Sequence, residues 1–152
     1  MKKILLPVVL FVSIGMLCSC QKNTAEQKKN SVMRKKVSGR VKSRLLRKAD
    51  KPTPKPEIGS TVLVHYVAWL AQEDGSQGRQ VDSSIERGEP LQFTVGLNHV
   101  VKGFEEGVMQ MQVGEKRRLF IPSDLGYGKR GVGLFIPPDS NLVFEVELLA
   151  MK

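Results

Sequence analysis

Leu119 to Leu149 reads LFIPSDLGYGKRGVGLFIPPDSNLVFEVELL, a pattern of strand, long loop and strand. The first strand ends at Pro122, which has no N–H to give a sheet ladder. In the last, Leu142, Phe144, Val146 and Leu148 alternate with Val143, Glu145, Glu147 and Leu149, the two-residue period of a strand. Between them stand Gly126, Gly128, Gly131 and Gly133 and the pair Pro137-Pro138. A loop of that length inside a small domain is functional or disordered. Its apolar run, Val132, Leu134, Phe135 and Ile136, argues for a lid that closes over an apolar site.

Upstream of this stretch, Phe104, Val108 and Met111 fall at i, i+4 and i+7, one apolar stripe of a short helix. Glu105 and Glu106 lie in its first turn, where the macrodipole favours negative charge. Gly114 is placed to end it as a left-handed cap. Strands are expected at Ser60–Leu70, where Val62, Val64, Tyr66, Ala68 and Leu70 share a face, and at Leu91, Phe93 and Val95. Ala71–Gln80 (AQEDGSQGRQ) reads as an exposed turn, and Val81-Asp82-Ser83-Ser84 resumes extended structure. Lys116–Ile121 is a further strand. Near the start, Met33, Val37, Val41 and Leu45 recur as in a basic amphipathic helix, while Val41, Ser43 and Leu45 alternate as in an edge strand. The sum is an α+β domain, an antiparallel sheet of about five strands wrapped on one short helix.

The chain of 152 residues carries a net charge of +9, unevenly spread. Residues 21–57 carry +10 and residues 58–152 carry −3. A basic tail on a mildly acidic domain points to an anionic surface near the tail. Nucleic acid is the rival partner, but the tail has no recognition motif and no interleaved aromatics, which argues against it. Lys2-Lys3 followed by the apolar run Ile4–Leu17 has the form of an export signal and is short for a membrane span. It ends in Leu17-Cys18-Ser19-Cys20, which resembles a bacterial lipobox with Cys20 as the lipidated residue. That reading divides the chain into a lipoprotein signal peptide (1–19), a basic flexible tether (20–38) and the domain. Gln21 in place of Asp implies sorting to the outer membrane. A signal peptide cut without lipid attachment is the alternative. Both cysteines fall in this segment, so the domain itself has no thiol chemistry and suits an oxidising compartment.

The motifs VHYVAWL (64–70), VDSS (81–84), VVKGFEEGVMQMQVGEK (100–116), PSDLGYG (122–128) and IPPDSNLVFEVELL (136–149) resemble, in order and spacing, the FK506-binding type of peptidyl-prolyl isomerase. The resemblance spans roughly residues 39–152. It implies a strongly curved sheet and favours the strand for Arg40–Leu46. It also implies a site. Tyr66 and Phe93 would supply walls, Asp82 a polar edge, and Val100 and Val101 the start of the helix, with the Val101 N–H facing a ligand carbonyl. Phe104 would form the floor, where many relatives have Trp. Tyr127 and Ile136 would line the lid, with the Tyr127 hydroxyl as donor, and Phe144 would close the back. The sequence departs from the family at Val81 and Leu91, where aromatics are frequent, and in a longer Ala71–Gln80 loop. Phe135, where an aliphatic residue is commoner, would return aromatic surface.

The implied reaction is rotation about X–Pro bonds, with proline-containing segments as substrates and FK506-like macrolides as potential inhibitors. It needs no cofactor or metal. In agreement, the sequence holds no Ser-His-Asp set, no metal-ligand cluster and no phosphate-cradling loop, and neither His65 nor His99 sits in a catalytic spacing. The expected function is a lipid-anchored isomerase of the bacterial envelope acting on exported proteins. The alternative is a non-catalytic module that binds proline segments or unfolded chains as a holdase.

Overall fold

The structure, a computed structural model, describes residues 39–152. The leader, the tether and Cys20 lie outside the described residues. Six strands and one helix follow in order: β1 (Lys42–Arg47), β2 (Thr61–Ala71), β3 (Gln77–Ser83), β4 (Leu91–Thr94), α1 (Lys102–Val108), β5 (Lys116–Ile121) and β6 (Leu142–Met151). The strands form one antiparallel sheet in the order β1-β5-β6-β2-β3, with β4 also paired to β2. The sheet agrees with the expected antiparallel sheet of about five strands on one short helix, and the segment near Arg40 is the strand that the resemblance favours.

The two long strands show why the sheet curls around α1. Along β2, Val62, Val64, Tyr66 and Ala68 are buried while their neighbours are half-buried. Along β6, Leu142, Phe144, Val146 and Leu148 are buried on the same side. Val143 is buried too, on the outer face, where Trp69 and Phe120 flank it in register and shield it. The β2–β6 register shifts between Leu63 and Val64, a bulge that bends both strands.

The helix packs through glycines. A Cβ on Gly103 would stand 2.5 Å from the Ile121 side chain, and one on Gly107 would collide with Leu119. Two small residues four apart therefore let α1 lie directly on β5. The helix ends at Val108, earlier than the expected stop at Gly114. Bonds from Gln110 N–H to the Gly107 carbonyl (3.2 Å) and from Met111 N–H to the Val108 carbonyl (2.9 Å) tighten the chain into turns. Met111 lies past the helix and is still fully buried. Gly114, at φ 89°, gives its N–H to the Leu148 carbonyl (2.7 Å) and turns the chain into β5 instead of capping the helix.

The turn between β2 and β3 is also shorter than the expected Ala71–Gln80 loop, because β3 begins at Gln77. Gly75 takes the left-handed position at φ 80°, and Asp74 accepts from the Ser76 N–H at 2.8 Å. Polar Gln77, Arg79 and Gln80 conceal the strand in the sequence. On an outer strand they face solvent and need no apolar alternation.

Candidate functional site

One cavity of about 240 Å³ opens between the concave face of the sheet, the start of α1 and the long loop before β6. β2 contributes Tyr66 and Ala68, β3 contributes Val81 and Asp82, and Leu91 comes from β4. His99, Val100, Val101 and Phe104 come from the approach to α1 and the helix itself, and Phe144 from β6. Tyr127 and Ile136 close it from the loop.

Three aromatic rings, Tyr66, Phe104 and Phe144, make its inner wall. Phe104 is edge-on to Tyr66 (centroids 5.7 Å apart, planes at 73°) and to Phe144 (5.1 Å, 63°). Tyr66 and Phe144 are 6.0 Å apart. Offset and edge-on arrangements of this kind satisfy the ring quadrupoles. Phe93, expected in the wall, does not line the cavity. It is buried in a second layer, 5.9 Å from Phe104, and supports that ring. The two-residue alternation of Leu91, Phe93 and Val95 that marks Phe93 as inward-facing cannot tell a wall from its backing.

The polar edge is a three-residue network. The Tyr66 hydroxyl donates to Asp82, and Arg87 donates to the same carboxylate. A second Arg87 nitrogen donates to the Tyr66 oxygen at 3.1 Å, with the guanidinium carbon 5.6 Å from the Tyr66 ring centroid. Asp82 also accepts from the Ser83 N–H at 2.8 Å. Beneath it, the fully buried Ser84 hydroxyl accepts from the Tyr66 N–H (2.8 Å) and fixes the backbone of β2 against the turn after β3. Burial, then the hydrogen bond to Asp82, pushes the Tyr66 phenol above its ordinary value, with Arg87 opposing. Arg87 was not singled out in the sequence. Its only trace there is its place five residues after Asp82, across the Ser83-Ser84 turn.

Two donors on residues that line the cavity have no partner among the described residues. One is the Tyr127 hydroxyl, whose pKa is raised by burial and then by the charge of Asp82. The other is the Val101 N–H. Val101 is the N-cap of α1, with extended backbone (φ −64°, ψ 144°), and its carbonyl accepts from Phe104 (3.0 Å) and Glu105 (3.2 Å).

The loop is a braced flap. Val132 and Ile136 exchange backbone hydrogen bonds at 2.8 and 3.1 Å, and Asp139 N–H donates to the Gly128 carbonyl at 2.8 Å. Arg79 of β3 donates to the Phe135 carbonyl at 2.5 Å. Ile136 is thereby turned inward, at 7% exposure, while Leu134 (98%) and Phe135 (66%) point to solvent. Phe135 therefore returns no aromatic surface to the cavity, contrary to expectation. Strand-like alternation fails there because the segment is a turn. Ala68 and His99 line the cavity without having been expected. Ala68 follows from its i+2 relation to Tyr66; nothing in the sequence marks His99.

Residues 53–149 match the family described as FKBP-type peptidyl-prolyl cis-trans isomerase. The chain belongs to this family. It is similar to FK506-binding protein 1 of Gibberella zeae, 47% identical over 95 residues that cover 62% of this chain and 85% of the relative. FK506-binding protein 2 of Yarrowia lipolytica is 50% identical over 99 residues, 65% of each chain. An FK506-binding protein of Neisseria meningitidis serogroup A is 48% identical over 91 residues, 60% of this chain and 79% of that one. The domain is thus a peptidyl-prolyl cis-trans isomerase of the FKBP type, with the antiparallel curled sheet and short helix of that fold.

Proposed function

We propose that this isomerase works in the bacterial envelope, anchored through Cys20, and rotates X–Pro bonds of exported proteins by binding a twisted amide in the cavity described above. The observation that carries the catalytic part is that Tyr127 and Val101, whose hydroxyl and N–H have no partner among the described residues, line one cavity with Tyr66, Phe104, Ile136 and Phe144.

Rotation about the imide has a barrier of about 18–20 kcal/mol because resonance gives the C–N bond double-bond character. Water favours the planar form by hydrogen-bonding the polarised oxygen. An apolar wall removes that water, and two fixed donors receive the carbonyl in its rotated direction. Preference for the twisted form over both planar ones lowers the barrier, each tenfold in rate needing about 1.4 kcal/mol. No proton changes hands. Val81 and Leu91 leave the mouth less aromatic, so the expected preference is for an apolar residue before proline and for modest turnover of short peptides. FK506-like macrolides would enter the same cavity.

The envelope reading is supported by the lysine pair, the apolar run and the Cys20 motif of the leader. A protease-coupled proline-peptide assay with and without FK506 tests the catalytic part. Turnover that FK506 inhibits supports it, whereas suppressed aggregation of unfolded chains without turnover would make the domain a holdase. For the anchor, Cys20→Ser should release the protein from membranes, and unchanged retention would remove the lipid.

A further inference from the structure

Away from the cavity, the strongest charged surface among the described residues lies at the start of the domain. From Arg40 to Lys55 the chain holds seven basic residues and one acid, Asp50. All six residues of β1 are exposed, and β1 is an edge of the sheet, paired to β5 alone. Its register sets Lys42 opposite Phe120 and Arg44 opposite Arg118. Lys48, Lys51 and Lys55 continue the exposed basic surface beyond the strand. Of the seven, Arg47 has an ion pair, with Glu147 at 2.5 Å; the other six have no acidic partner among the described residues. Charge on an edge strand guards against unwanted strand pairing. That role asks nothing of the three lysines past the strand.

We infer that β1 and the segment Lys48–Lys55 form a face that seats the domain on an anionic lipid surface. The inference rests on the anchoring proposed at Cys20. Charge is one argument, since an anionic leaflet attracts clustered basic side chains. Chain order is another. The eighteen residues from 21 to 38 hold six more basic residues against Glu26, and the first element reached after them is β1. Leu45 and Leu46, each 40% exposed, add apolar contact of the kind an interfacial surface uses. Residues 39–55 contain no Phe, Tyr or Trp on which a base could stack, which favours lipid over nucleic acid.

The sheet order makes this face useful to the isomerase. β1 and β3 are its opposite edges, four strand spacings or about 19 Å apart along the sheet. The polar rim of the cavity, Asp82, lies on β3, so β1 can rest on lipid while client chains reach that rim from the aqueous side.

The test is lysine footprinting with an amine-reactive reagent on the full, lipidated chain. It is bound to vesicles of phosphatidylcholine alone or of phosphatidylcholine mixed with phosphatidylglycerol. The expected result is protection of Lys42, Lys48, Lys51 and Lys55 on the anionic vesicles only. Lys129, in the loop that closes the cavity, stays reactive. Protection should be lost at about 0.5 M salt, where the screening length falls to roughly 4 Å. Equal reactivity on both vesicles overturns the inference, and co-sedimentation with both would show that the anchor nevertheless stands. Failure to co-sediment with the neutral vesicles overturns the anchor, and the anionic footprint still reads this face. The full chain with Lys42→Glu and Arg44→Glu should lose Lys48 and Lys51 protection by about tenfold or more, with turnover of a soluble proline peptide unchanged. Unchanged protection in that variant, or stronger protection by duplex DNA than by anionic vesicles, overturns the assignment.

Discussion

The Tyr66 hydroxyl donates to the Asp82 carboxylate across the β2–β3 hairpin, and Arg87 holds both. A phenol on the inner wall is thus oriented by a carboxylate on the rim, and the carboxylate by a guanidinium outside the cavity. Arg87→Ala should leave the fold intact, because its side chain is 48% exposed. It should lower kcat/KM about threefold to tenfold, the size of one lost hydrogen bond near 1 kcal/mol. Arg87→Lys should restore part of the loss. Unaltered kcat/KM in the alanine variant would reduce Arg87 to a surface residue.

Phe104 and Tyr127 should separate stability from binding. Phe104 is 2% exposed and touches three other rings, so Phe104→Ala should lower unfolding free energy by about 3–5 kcal/mol in a denaturant titration. Tyr127 is 39% exposed and its hydroxyl has no partner among the described residues. Tyr127→Phe should therefore keep the denaturation midpoint while weakening FK506 binding by about 0.5–1.5 kcal/mol. Equal affinity in that variant would take Tyr127 out of the site.

The difference between these two residues also shows what the sequence discloses. Strand period and turn residues expose β2, β6 and the flap, because burial on one face imposes alternation. The same period placed Tyr66 and Ala68 on the inner side. It could not reveal the first half of β3, Gln77–Gln80, whose edge position leaves polar residues free, nor the early end of α1, after which Gln110 and Met111 bond back into turns. The site residues came from resemblance, and the structure brings ten of them to one cavity while setting Phe93 behind it and Phe135 outside. Arg87 and His99 act through tertiary placement, which leaves no periodic trace.

The chain has two tyrosines, and both line the cavity. Absorbance of tyrosinate therefore reports on the site alone. Burial raises both phenols above 10.0, with Asp82 adding to the rise at each. In the folded protein tyrosinate should form at higher pH than in the urea-unfolded chain, which should titrate near the ordinary value. The sign for stability follows. The folded state keeps its protons where the unfolded state has lost them, so stability is fully present below about pH 10 and falls as pH rises toward the folded values. A normal midpoint for either phenol in the folded protein would place that hydroxyl in water.

Glu145, on the outer face of β6, gives the opposite sign at the acid end. Its carboxylate accepts from Arg118 (2.7 Å) and Gln77 (3.0 Å) and pairs with Lys116 (3.3 Å). Burial alone would raise its pKa, but the hydrogen bonds and charges of Arg118 and Lys116 together outweigh that and hold it below 4.5. A carboxyl depressed on folding stabilises above its unfolded pKa and loses that contribution as pH falls through the folded one. These partners are partly exposed, so the whole network is worth about 1 kcal/mol rather than the sum of its pairs. Glu145→Gln should therefore cost about that much in a urea titration at pH 7, with the gap from wild type closing below about pH 4.5. The rate of proline-peptide turnover should not change, because Glu145 faces away from the cavity. A gap that persists undiminished at low pH would mean that shape and packing at this position, not charge, carry the effect.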